Sequence, residues 1–74
     1  MGDELYVSPS GTLGIGFHWN KKKEVFTSMT ITDRGTGEVK SRLEASSPAI
    51  EKIIRNQRDR LFVNYDWRRD EQPV

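Results

Sequence analysis

Cysteine is absent from the 74 residues, which excludes disulfides, thiolate metal ligation and a cysteine nucleophile together. Histidine occurs once, as His18, so a zinc site would have to be built from one imidazole and scattered carboxylates. No apolar run approaches the ~20 residues of a membrane span. The opening Met1-Gly2-Asp3-Glu4 is acidic, unlike the basic start of a signal peptide. An excess of one charge sign is also missing. Twelve basic and eleven acidic groups leave a formal +1, which argues against a polybasic arm and against an acidic disordered tail. The expectation is a cytoplasmic protein with no membrane partner, no metal and no cofactor.

Hydrophobic residues make up 34% of the chain, enough for a thin core. Chains below roughly 70–80 residues usually add a disulfide, a metal, a second subunit or unusually close packing. With disulfides gone and metal disfavoured, close packing and a homodimer are the two remaining routes.

Leu13, Ile15, Phe17 and Trp19 alternate with Gly14, Gly16 and His18, the period-2 pattern of a half-buried strand. Leu5-Tyr6-Val7 reads as a short edge strand, closed by the turn Ser8-Pro9-Ser10-Gly11. After the polar break at Asn20–Glu24, Val25, Thr27, Met29 and Ile31 form one face against Phe26, Ser28, Thr30 and Thr32. A glycine-bearing loop over Asp33–Glu38 then leads to Val39, Ser41 and Leu43 on the inward face. Ser47 followed by Pro48 is a helix start, since proline lacks the amide that would be orphaned there. Ile50, Ile53, Ile54, Gln57 and Leu61 form one amphipathic stripe, predicting a helix over Pro48–Arg60. Leu61, Val63, Tyr65 and Trp67 again alternate, predicting a final strand over Leu61–Trp67 and a frayed polar tail over 68–74.

The fold expected is α+β: a three- to five-stranded antiparallel meander with one amphipathic helix on one face, order (β)βββαβ, in a single domain over 1–67. A meander and a split sheet share this pattern, so strand order stays open.

Three constellations could carry chemistry. Gly11-x-x-Gly14-x-Gly16 has glycine spacing near that of a phosphate loop, but it runs into a strand and not into a helix. His18 has no orienting partner in the sequence, and no nucleophile–base–metal set accompanies it, so the expectation is a non-enzyme. The third is aromatic and basic. Tyr, Trp and Arg are enriched at protein–protein hot spots. Phe62, Tyr65 and Trp67 beside Arg68 and Arg69 concentrate them near one end of the chain.

The leading expectation is therefore a small protein-interaction module, a regulator, adaptor or inhibitor that occupies a partner protein's surface. Its expected contact residues are Trp19, Phe26, Tyr65, Trp67, Arg68 and Arg69. The alternative is a sheet-based nucleic-acid binder using Lys21, Lys22 and Lys23 beside Trp19, with Lys52, Arg55 and Arg58 on the helix.

Overall fold

The computed structural model describes residues 3–71, with side chains through Arg69. Five strands and one helix follow in the order β1 (Glu4–Val7), β2 (Leu13–Asn20), β3 (Val25–Asp33), β4 (Val39–Glu44), α1 (Pro48–Phe62) and β5 (Arg68–Glu71). All pairings are antiparallel and the sheet order is β4-β3-β2-β1-β5. The first four strands are the expected meander, and α1 packs on one face of it.

Local chemistry explains the turns. Asn20 accepts from the amides of Lys22 and Lys23 at 3.0 Å each, and Glu24 turns the chain with φ of 56°. Asp33 accepts from the amides of Gly35 and Thr36, and Gly37 takes the left-handed conformation that a side chain would strain. Ser47 caps α1 by accepting from the amide of Ile50, with Pro48 in the first turn.

Register assigns the faces. Tyr6 pairs with Ile15, Ile15 with Ile31, and Phe17 with Met29, so these residues share the side under α1. The core there is small: Tyr6, Phe17, Phe26 and Ile54, with Trp19, Met29, Leu43, Ile50, Leu61 and Trp67 packed around it. Tyr6, Phe17, Phe26 and Trp19 meet edge to face in a chain of rings at centroid distances of 5.6, 6.0 and 4.8 Å.

Several expectations are corrected. In β3 the register shifts between His18 and Trp19: Ser28 faces His18 but Phe26 faces Trp19, which leaves Thr27 as the extra residue of a bulge. Phe26 thereby turns into the core and Thr27 to solvent, the reverse of simple alternation. Leu5–Val7 lie in β1, an interior strand flanked by β2 and β5, and not at an edge. The helix runs through Phe62, and the last strand is Arg68–Glu71 in place of Leu61–Trp67. Within the stripe, Ile54 is fully buried and Ile50 half-buried, but Ile53 is 51% exposed. Ile54 is the residue that points straight at the aromatic core, and Ile53 sits on the flank of the helix.

Candidate functional site

The end of α1 and the return to β5 carry the largest concentration of exposed apolar surface. Phe62 is 52% exposed, Val63 70% and Tyr65 102%. Scattered exposed apolar residues need no explanation, but three within four positions are a patch.

Two arginines from distant elements fix Phe62 in place. The Arg58 guanidinium lies 4.9 Å from the centre of the Phe62 ring, and that of Arg69, from β5, lies 4.8 Å from it. Arg58 in turn grips Glu4 at the start of β1, with Nε and Nη2 donating at 3.0 and 2.9 Å. Glu4 also accepts from the Tyr6 hydroxyl at 2.7 Å. The Arg58 hydrogen bonds hold the Glu4 carboxyl below the usual carboxylate range, more than offsetting its partial burial. Burial, together with the hydrogen bond to Glu4, pushes the Tyr6 phenol up to about 12. Phe62 thus rests on a rigid polar base and not on a loose terminus.

Val63 closes α1, its amide bonded to the Asp59 carbonyl, and Asn64 accepts from the amide of Trp67. This tight turn throws Tyr65 outward and Trp67 inward. Trp67 is half-buried against the core cluster.

Of the expected contact residues, the structure brings Tyr65, Trp67, Arg68 and Arg69 together at this end. Trp19 lies elsewhere, half-buried against Phe26 with the Arg55 guanidinium 5.6 Å from its ring. Phe26 is 5% exposed and belongs to the core, because the bulge at Thr27 turns it inward. Val63 was not marked by residue type. The signal available for it was position, directly after the last turn of a helix whose apolar stripe ends at Leu61.

The basic alternative is dispersed. Lys21, Lys22, Lys23 and Lys52 are exposed. Arg55 is engaged by Glu51 at 2.7 Å and by the Glu24 carbonyl, and Arg58 by Glu4. The two helix arginines are therefore held by carboxylates, leaving the lysine turn and Lys52 as the exposed basic groups of that set.

The His18 ring donates through Nδ1 to Asp3 at 2.7 Å on the sheet face away from α1. No group of three or more metal-ligating side chains occurs among the described residues. Nor is any helix among them long and apolar enough to cross a membrane. Compared with protein-family models, curated proteins and solved structures, the chain matches none.

Proposed function

We propose that this chain is a non-enzymatic protein-interaction module, a regulator, adaptor or inhibitor that acts by covering part of a partner protein's surface. The observation that carries the reading is the exposure of Phe62, Val63 and Tyr65 at the end of α1, with the Phe62 ring held by Arg58 and Arg69. Rigid aromatic anchors flanked by arginine lose little conformational freedom on docking, which is why these residue types dominate binding hot spots. Trp67, Arg68 and Arg69 complete the contact set. Trp19 falls outside it and Phe26 beneath the surface.

A photoreactive phenylalanine analogue in place of Tyr65 tests this. One reproducible adduct is expected when the purified chain is irradiated in an extract of its source cells. Competition by excess wild-type chain should abolish the adduct, whereas a Phe62→Ser/Val63→Ser competitor should not. No competable adduct at that position would refute the reading.

A further inference from the structure

We infer that the partner seated on this patch is a second copy of the chain, joined through the outer edge of β5 into one ten-stranded antiparallel sheet. The inference rests on the docking reading above and names its occupant.

The two edges of the sheet differ. β4 is defended in the usual way: the register against β3 skips at Ile31/Thr32, so Lys40 is the extra residue of a bulge, and Arg42 follows it. Bulges and lysines on an edge obstruct pairing with another strand. β5 has neither. It pairs with β1 without a register shift, carries no lysine or proline, and its outer side has no strand partner among the described residues. Phe62 is stacked on Arg69 of this same strand, and the turn through Tyr65 leads directly into it. The open edge and Phe62 therefore meet at Arg69.

Charge at the β5 positions suits a copy of itself. The strand reads Arg68-Arg69-Asp70-Glu71, two bases and then two acids. An antiparallel partner of the same sequence can set an acid opposite a base, and the register decides which pairs do so. Backbone N–H and C=O groups point alternately to the two sides of a strand, so a twofold-related pair must be centred on a residue and not between two.

Centred on Arg69, the pairing sets position 68 opposite position 70 of the second copy, twice by symmetry. Both lie on the sheet face away from α1, because Arg69 faces Tyr6 and Tyr6 faces the helix. Arg69 meets its own counterpart at the axis, each guanidinium resting on a Phe62 ring, with position 71 of the other copy on the diagonal. Centred on Arg68, the pairing would instead set Arg68 on Arg68 and position 66 on position 70, like charges at every pair on that face, whereas centring on Arg69 leaves one like pair, at the axis. Opposite charges directly across a strand pair stabilise it and like charges disfavour it. A thin core of four clustered buried residues gives the chain reason to use a second subunit.

The test is the mass of the full chain by sedimentation equilibrium over a concentration series, with charge-swap variants at positions 68 and 70. The wild type should pass from 8.6 kDa toward twice that value as concentration rises. Arg68→Asp and Asp70→Arg should each weaken self-association by about tenfold or more, since each sets like charges opposite one another. An equimolar mixture of the two single variants should dimerise, because every 68–70 pair is then opposite in sign, and the Arg68→Asp/Asp70→Arg double variant should dimerise alone. Far-UV circular dichroism of every variant checks that the fold persists. A wild type that stays at monomer mass through the millimolar range overturns the inference. So do single variants that dimerise as well as the wild type. A monomeric wild type whose position 65 still cross-links to a different protein leaves the docking reading standing and removes the second copy; a monomer with no competable adduct removes both.

Discussion

Arg58 and Glu4, 54 positions apart in the chain, are joined by two hydrogen bonds of 3.0 and 2.9 Å that tie the last turns of α1 to the start of β1. Both side chains are mostly shielded, at 27% and 20% exposure, so removing one partner strands the other in a poorly solvated place. Arg58→Met should cost about 1–3 kcal/mol in urea unfolding at neutral pH. The same change should loosen Phe62, seen as faster amide exchange from Phe62 to Trp67. Unchanged stability would show the pair to be incidental.

The pH dependence of that link has a fixed sign. The Glu4 carboxyl is lowered from 4.5 in the folded chain, chiefly by the Arg58 hydrogen bonds. A depressed carboxyl contributes stability that is present above its unfolded value and lost as pH falls through the folded one. The wild type should therefore be more stable than Glu4→Gln above about pH 4.5, with the advantage disappearing in acid. Parallel stability curves for the two proteins from neutral to acid pH would contradict this.

Tyr6 behaves oppositely at the alkaline end. Its phenol is raised from 10.0 to about 12 by burial first and the Glu4 hydrogen bond second. The contribution is complete below pH 10.0 and is lost as pH rises toward about 12. In a Tyr65→Phe background, where Tyr6 is the remaining tyrosine, phenolate absorbance should appear only well above pH 10.0 and together with loss of helix signal. An ordinary titration in a chain that stays folded would show that the ring is not held as described.

Glycine in β2 answers to close approach. A methyl group on Gly16 would stand 3.0 Å from the Thr30 hydroxyl oxygen, in the strand alongside. Gly16→Ala should destabilise by about 1–2 kcal/mol, and adding Thr30→Ala should recover most of that. Additive losses in the double-mutant cycle would place the cost elsewhere.

Much of this architecture could be read from residue order. β2 follows plain alternation, and Ser47-Pro48 marks the start of α1 because cap and first-turn chemistry are local. In β4 the bulge at Lys40 breaks the alternation, and Val39, expected on the inward face, is 57% exposed. What failed was non-local. The bulge at Thr27 belongs to the pairing of two strands, so residue order alone put Thr27 inside and Phe26 outside. Leu61, Val63, Tyr65 and Trp67 alternate in sequence, yet Leu61 finishes a helix, Val63 caps it, and the turn sends Tyr65 and Trp67 opposite ways. The strand that does form, Arg68–Glu71, has no apolar member to betray it, because an edge strand of four residues can be anchored by its pairing to β1 alone. The aromatic–arginine cluster near that end was legible by residue type. Its base, Glu4 against Arg58, was not, since no local pattern links positions so far apart.

The account turns on Phe62, Val63 and Tyr65 being surface for docking and not misplaced core, and comparing stability with binding in one variant separates the two. Val63→Ser/Tyr65→Ser should leave unfolding free energy within about 1 kcal/mol of wild type, as expected for exposed side chains. The same protein should lose its association, whether to a second copy by sedimentation or to the protein cross-linked at position 65. A variant that unfolds readily, or one that associates as tightly as the wild type, would contradict the account.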